Sequence, residues 1–146
     1  MSYPTLRLHP RKEESVLRFH PWIFSGAIAS FSAPVEDGDL VSVVDSKSRP
    51  LGTGHFGGGS IAVRLLSFNA EEVIDRAFYK RRLEAALRLR LSCDLIRPVG
   101  SSDSPNTTYR LVHGEGDSLP GLIIDIYDRT AVVLSLIHIS EPTRPY

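Results

Sequence analysis

Residues 18–28 read RFHPWIFSGAI and decide how the front of the chain folds. Pro21 disfavours the α-helical region for His20 before it, so a helix built on the preceding residues is predicted to end there. Ser25 and Gly26 predict a turn, and the β-branched and small residues after them resume as a strand. A helix end followed by a strand thus opens a small β domain.

The same stretch holds candidate binding residues. Arg18 and His20 carry charge that suits phosphates, and Trp22 offers a flat ring on which a base could stack. Trp beside Ile and Phe is also typical of a core, and this structural interpretation of Trp22 is the one we favour from sequence.

The 146 residues carry 17 Lys and Arg against 17 Asp and Glu, so no global charge attracts nucleic acid or a membrane. The charge is nevertheless uneven. Residues 1–35 hold four bases against two acids, whereas residues 101–128 hold one base against five acids. An RNA partner is therefore expected at the first of these regions.

Cys93 is the only cysteine, which excludes an intramolecular disulfide framework and a cysteine metal site. No apolar segment has the length of a secretion signal or a membrane span. We expect a cytoplasmic protein without a membrane partner. We also expect Cys93 to be a buried or half-buried, inert thiol.

The first seventy residues predict a closed or nearly closed barrel of short strands. The predicted strands cover residues 5–9, 27–31, 40–45, 51–56 and 61–68. A short helix over residues 13–19 is expected to turn Val16, Leu17 and Phe19 inward. Gly52 and Gly54 would weaken their strand unless another backbone or a ligand comes close.

Three phrases carry a family resemblance: LRFHPWIFSGAI at 17–28, DGDLVSVVDSKSRPLGTGHF at 37–56 and SIAVRLLSF at 60–68. They resemble the PUA domain at the start of the ribosomal RNA large-subunit methyltransferase I family, whose members use S-adenosylmethionine to methylate C5 of a cytosine in 23S ribosomal RNA. The resemblance implies RNA binding near the first helix and the strand after it. The implied binding residues are Arg11, Lys12, Arg18, His20, Trp22, Ser25 and Gly26.

The middle of the chain predicts a long helix. Asn69 is the expected N-cap, with Glu72 three positions on as its capping-box partner. A helical stripe should then face inward, and the modestly basic remainder should be a solvated face. The stripe comprises Ile74, Ala77, Phe78, Ala85 and Leu89. Residues 91–108 are expected to form a surface loop.

Residues 109–134 predict antiparallel strands at 109–113, at 122–127 and from 130 onward. The glycines at 114, 116 and 121 do not form a nucleotide-binding loop, because Pro120 interrupts them and a strand follows where a helix would be needed. His113, Glu115 and Asp117 in one loop are weak evidence for a metal or acid–base site. This stretch resembles the central segment of the same methyltransferase family, so the resemblance covers nearly all of residues 5–133.

The resemblance places the chemistry elsewhere, in a doubly wound domain with a Gly-rich turn for S-adenosylmethionine, a cysteine nucleophile and an Asp-Pro-Pro-type motif. None of these motifs occurs in the sequence. We expect no catalytic, cofactor-binding or metal-binding residue here, S-adenosylmethionine being implied only for the full-length protein. The chain alone is expected to be inactive. A homodimer is also implied as possible for the full-length protein.

Residues 134–144 read LSLIHISEPTR and resemble the in-frame translation of a sequencing-library adapter. We expect a PUA-like RNA-binding domain at 1–68, a linker helix and incomplete central domain at 69–133, and a non-native tail at 134–146. The expected fold class is α+β: a small PUA-like β pseudo-barrel, then a long helix and an incomplete central α/β unit with antiparallel strands. The first seventy residues are predicted to be the more stable part.

Two other functions stay open. The chain could come from a PUA-bearing enzyme of different chemistry, such as a pseudouridine synthase, or it could be a non-catalytic dimerisation module. We prefer the interpretation given by the methyltransferase resemblance, which implies ribosomal RNA as the partner.

Overall fold

A computed structural model describes residues 3–97 and 106–136. The chain divides into two compact units, which meet in sequence between Glu72 and Val73. Neither the division expected at residue 68 nor the relative stability of the two parts is tested by this arrangement, and both stay predictions. No helix in the described part has the length and apolar character needed to span a membrane.

The first unit is a curled six-stranded sheet with order β2-β6-β5-β4-β1-β3, which confirms the expected α+β class with a PUA-like pseudo-barrel. All strand pairs are antiparallel except β1 with β4. Its elements are β1 (Thr5–Leu8), α1 (Glu14–Leu17), β2 (Trp22–Phe24), a 3₁₀ turn (Ser25–Ala27), β3 (Ile28–Phe31), β4 (Leu40–Val44), β5 (Pro50–Phe56) and β6 (Ile61–Ser67).

The core of this unit follows from alternation along the strands. In β4, Val41 and Val43 are fully buried while their neighbours are half-buried, as a strand with one apolar face requires. The core side chains come from five strands and α1: Leu6, Leu8, Val16, Ile23, Val41, Val43, Leu51, Val63 and Leu65.

Helix α1 is shorter than predicted. Only Val16 is buried; the expectation that Leu17 and Phe19 face inward is wrong, since they are 62% and 73% exposed. Phe19 has φ of 61° and ends the helix, because its N–H bonds to Val16 O while His20 N–H bonds to Ser15 O. This pair of bonds is a Schellman cap with Phe at the left-handed position. The helix therefore ends before Pro21 can act on it.

Gly52 and Gly54 let the backbones of β5 and β6 meet at very short range. A Cβ on Gly54 would lie 2.3 Å from Arg64 O, and one on Gly52 would lie 2.3 Å from Ser67 O. The register of this strand pair shifts between Thr53 and Gly54. The expectation that these glycines need a close backbone neighbour is correct, and the contact belongs to the sheet itself.

The turn between β4 and β5 is organised by Asp45, which is 1% exposed. Its carboxylate accepts the backbone N–H groups of Lys47 and Arg49 at 2.8 Å and the Arg49 Nε–H at 2.6 Å. Burial alone would raise the pKa of Asp45, but these donors outweigh it and hold the pKa below its ordinary value.

The second unit contains α2 (Arg76–Ser92), β7 (Thr108–His113), a 3₁₀ turn (Gly114–Asp117), β8 (Leu122–Tyr127) and β9 (Thr130–Ser135). The three strands form one sheet in sequence order, and Asp128 occupies the hairpin turn with φ of 53°. The predicted antiparallel strands are thus present. Residues 98–105 of the predicted loop and 137–146 of the predicted tail lie outside the described residues.

The predicted start of α2 is wrong. Asp75 is the N-cap, and its Oδ1 accepts the Phe78 N–H at 2.8 Å. Asn69 instead closes a local turn by accepting the Glu71 N–H, while the Glu72 carboxylate accepts the Ser67 hydroxyl at 2.5 Å. Two cap-like sequences lie six residues apart, and the upstream one is used by a turn that follows β6.

The predicted inner stripe of α2 is largely wrong as well. Phe78 and Ala86 are the buried residues of the helix, with Ile74 buried just before it. The other three members, Ala77, Ala85 and Leu89, are exposed. Counting in fours from Phe78 reaches Arg82, whose guanidinium lies 5.1 Å from the Phe78 ring centroid. The inner face is therefore completed by arginine, which an apolar template does not detect.

Gly54→Ala should lower the free energy of unfolding by about 3 kcal/mol, because the new methyl group would collide with the backbone of β6. Gly26→Ala is the matched control: a Cβ there meets nothing within 4 Å, so its effect should stay within about 0.5 kcal/mol. Urea unfolding measures both. Equal stability of the two variants would contradict the close approach of β5 and β6.

Candidate nucleic-acid interface

All seven predicted binding residues lie in the first unit, and most are exposed. Arg11 has φ of 65° in the turn after β1, and Lys12 donates its N–H to His9 O at 3.2 Å. Arg18 is the C-cap of α1. The four charged or titratable members are exposed on this connection between β1 and β2: Arg11, Lys12, Arg18 and His20. Exposed basic side chains on one short connection can approach the same phosphate backbone.

His20 and Trp22 are in direct contact. The Trp22 N–H donates to His20 Nδ1 at 3.2 Å, and the two ring centroids are 5.6 Å apart in an edge-to-face arrangement. Because Nδ1 accepts this bond, neutral His20 carries its proton on Nε2. Trp22 is half-buried and is not part of the core cluster, which Ile23 joins instead. The placement of Trp22 in the core is therefore wrong, while its role in binding stays a prediction.

Strand pairing places Trp22 in a row of residues that crosses three neighbouring strands. Trp22 of β2 is paired with Arg64 of β6, and Arg64 is paired with His55 of β5. Directly paired residues of antiparallel strands share a face of the sheet. Ile23 and Val63, the next pair, are both buried in the core, so Trp22, Arg64 and His55 form a row on the opposite, outer face. We call these three residues the outer row.

Arg64 is the member that sequence reasoning passed over. It interrupts the apolar run IAVRLLSF, and a charged residue between the core residues Val63 and Leu65 must point outward. Within the described residues its guanidinium reaches one acceptor, Ile61 O at 3.4 Å. The rest of its donor capacity is available to a ligand. His55 gave no sequence signal, because its position in the row depends on a register that is set elsewhere.

His55 contributes a ring without a charge. Its Nδ1 donates to Gly38 O at 2.7 Å, since a carbonyl oxygen only accepts. Burial lowers the pKa of His55, and the bond to Gly38 opposes this only in part. The imidazole is therefore neutral at pH 7, and Arg64 is the one fixed charge of the outer row.

Ser25 and Gly26 lie on the 3₁₀ turn between β2 and β3. The Ser25 N–H donates to Ser60 O at 2.9 Å, which ties this turn to the start of β6. Gly26 is exposed, with open space where a side chain would project. Both residues offer backbone at the surface and no charge.

The loop that holds His113, Glu115 and Asp117 has a structural role. The Asp117 side chain is 3% exposed and forms a bidentate ion pair with Arg90, and its carboxylate also accepts the His113 N–H at 2.6 Å. Burial alone would raise the pKa of Asp117, but these bonds hold it below its ordinary value. No group of three or more His, Cys, Asp or Glu residues in the described ranges is placed to hold a metal ion.

Cys93 follows α2 as its C-cap and is exposed, so the expectation of a buried or half-buried thiol is wrong. The reason is its position: a residue just past the helix end leaves the inner face that Phe78 and Ala86 define.

Comparison with known proteins relates part of the chain to a domain family and most of the chain to longer proteins. A PUA-like domain family matches residues 6–68. The chain is 40% identical over 129 residues, 86% of its length, to ribosomal RNA large subunit methyltransferase I of Alteromonas mediterranea. It is 36% identical over 133 residues, 90% of its length, to the protein of the same name from Salmonella arizonae. The chain spans only 30% and 31% of these two relatives.

Solved structures agree on the fold. A SAM-dependent methyltransferase from Streptococcus mutans superimposes with a TM-score of 0.69 at 18% identity, over 91% of this chain and 32% of the other. A second methyltransferase structure, complexed with SAH, gives a TM-score of 0.70 with the same coverage. At this identity the likeness shows a shared fold for most of the chain.

Acidification should destabilise the chain through His55. Its folded pKa lies below the ordinary value of about 6.5, so the unfolded chain takes up the proton more readily. The contribution of His55 to the free energy of unfolding is fully present above pH 6.5, and it is lost as the pH falls toward the pKa of His55 in the folded chain. Urea unfolding at pH 7.5 and 5.5 should show a decrease that His55→Gln abolishes and His9→Gln retains. An unchanged decrease in His55→Gln would contradict this account.

Proposed function

We propose, from the match of residues 6–68 to the PUA-like domain family, that this chain is the RNA-binding portion of an S-adenosylmethionine-dependent ribosomal RNA methyltransferase. The observation that carries the proposal is the 36–40% identity to large subunit methyltransferase I proteins over 86–90% of the chain, which includes both compact units. The finer proposal is that the whole protein methylates C5 of a cytosine in 23S ribosomal RNA. Such work would take place in the cytoplasm.

The surface of the first unit supports an RNA-binding role in two ways. Arg11, Lys12 and Arg18 are exposed and suit phosphate contacts, which position a nucleic acid without reading its sequence. The outer row adds an aromatic ring, a guanidinium and a neutral imidazole, which suit stacking with unpaired bases. The chain has no net charge, so attraction to RNA would be local to this surface.

The described residues do not fit S-adenosylmethionine. In open α/β sheets a nucleotide-type cofactor is held by a Gly-rich turn between a strand and a helix N-terminus. Here Gly114 and Gly116 belong to a 3₁₀ turn, and the next element is the strand β8. We therefore derive no methyl-transfer step from these residues and assign them to placing the RNA.

A second candidate function is protein association through the second unit. All six residues of β9 are exposed, among them Val132, Val133 and Leu134, each more than 50% exposed. An exposed apolar edge strand is a common site of pairing with another chain. A dimerisation module is thus the alternative that the structure favours.

The full chain should bind a 23S ribosomal RNA fragment with strong salt dependence. Each lost phosphate contact reduces the slope of log K against log salt by about 0.7–0.9. Arg11→Ala/Arg18→Ala should therefore reduce the slope by about 1.5 and weaken binding roughly tenfold at low salt. Fluorescence anisotropy measures both quantities.

Arg88→Ala/Arg129→Ala removes two exposed bases of the second unit and is the matched control, with binding expected to remain at the level of the unmodified chain. Sedimentation with and without RNA completes the test. A dimer without RNA affinity would refute the RNA-binding proposal and favour the association module.

A further inference from the structure

A shallow groove of about 350 Å³ opens on the first unit. On one side it is bounded by Ser25 and by β3, and on the other by the glycines at 57–59. Phe31 and Phe56 form its aromatic wall, with ring centroids 5.4 Å apart in an edge-to-face arrangement. Phe31 is 39% exposed, so part of its ring is accessible. The volume of the groove lies at the small end of the range for ligand pockets, so it suits a single nucleobase and not a larger ligand.

The three glycines hold the groove open. None has the positive φ that favours glycine, so the backbone conformation alone does not require them. A Cβ on Gly59 would meet nothing within 4 Å, and one on Gly57 would first meet Arg64 Nη1 at 3.7 Å. Both glycines line the groove, so side chains at these positions would take up space at its edge. The sequence GGG thus leaves a surface on which a flat molecule can lie against backbone and aromatic carbon.

Opposite charges flank two successive glycines. Arg64 reaches Gly57, and the Asp37 carboxylate lies 3.1 Å from the position of a Cβ on Gly58. Asp37 Oδ1 accepts the Gly58 N–H at 2.7 Å, which fixes the carboxylate beside the groove. Within the described residues Asp37 and Arg64 have no ion-pair partner. A ligand that carries hydrogen-bond acceptors next to donors would match both.

We propose that this groove binds a single nucleobase of the RNA, with guanine as the preferred base. Guanine presents O6 and N7 as two acceptors, the pair that an arginine contacts bidentately. Its N1–H and N2–H groups are two adjacent donors that a carboxylate can accept together. Adenine offers one donor group and one acceptor on the same edge, so it would make fewer of these bonds. The inference rests on the proposed RNA-binding function and adds a site of base selection to it.

The groove and the basic connection would divide the work. Arg11, Lys12 and Arg18 contact phosphates and give affinity without sequence preference, whereas the groove reads one unpaired base. Loss of the groove should therefore reduce selectivity more than total affinity. This division allows the two claims to be tested separately.

The test uses the full chain with guanosine, adenosine, cytidine and uridine monophosphates, and with the 23S ribosomal RNA fragment. Gly59→Val adds a branched side chain to a residue that lines the groove, without a clash at its Cβ, and Asp37→Asn keeps an acceptor for the Gly58 N–H while removing the charge. Gly116→Val is the matched control, because Gly116 is an exposed glycine of the second unit. Binding is measured by NMR titration of backbone amides, and circular dichroism verifies folding.

We expect guanosine monophosphate to bind at least fivefold more tightly than adenosine monophosphate, with shifts at residues 57–59. Gly59→Val should weaken this binding at least tenfold, Asp37→Asn should remove the preference for guanine, and Gly116→Val should change neither. Equal binding of the four nucleotides, or guanosine monophosphate binding that survives Gly59→Val, would overturn the inference. If the RNA fragment binds with its salt dependence intact in that case, the proposed function stands; guanine binding in the groove without affinity for the RNA fragment would refute the proposed function instead.

Discussion

The close contact between β5 and β6 is the constraint on which the first unit depends. Gly52 and Gly54 allow the backbone of β6 to approach where any other residue would place its Cβ 2.3 Å from a carbonyl oxygen. The register shift at Gly54 fixes which residues face each other, and it sets His55 opposite Arg64. A different register would turn alternate residues to the opposite face of the sheet. The arrangement of the outer surface therefore depends on having glycine at positions 52 and 54.

Strand β6 shows how one segment serves both the fold and the surface. Val63 and Leu65 complete the core, while Arg64 between them joins the outer row and also lies near Gly57, one of the residues that line the groove. This dual role of β6 would allow a chain with no net charge to present the local RNA site that we propose. The second unit has a different organisation, in which the buried Arg90–Asp117 pair joins α2 to the 3₁₀ turn.

Much of this could be predicted from the sequence because it is local. Five of the six strands of the first unit and the hairpin of β8 and β9 follow from alternation and turn residues, and the spacing of Gly52 and Gly54 signalled a close neighbour. The strand β2 (Trp22–Phe24) was not predicted, because its three residues are too few to show an alternating pattern. The phrases that resemble a PUA domain were sufficient to predict the fold of the first unit, which the family match at residues 6–68 confirms.

The features that could not be predicted depend on a choice between two competing helix caps, on an arginine in a buried helix face, or on the register between strands. Asn69 and Asp75 both precede suitable helix starts, and the choice between them is made by the turn that Ser67 and Glu72 stabilise. The inner face of α2 escaped detection because arginine completes it over Phe78. The partners of Arg64 come from two other strands, so no window of sequence around Arg64 contains them.

The central claim is that RNA lies on the outer face of the first unit. The most direct test is an ¹⁵N–¹H NMR titration of the full chain with the 23S ribosomal RNA fragment, observing the Trp22 indole, the Arg64 Nε–H and the backbone amides of both units. The account predicts shifts or broadening at Trp22, Arg64 and the connection that holds Arg11 and Arg18, with small changes in β7, β8 and β9. Shifts confined to the second unit, or none at saturating RNA, would contradict it.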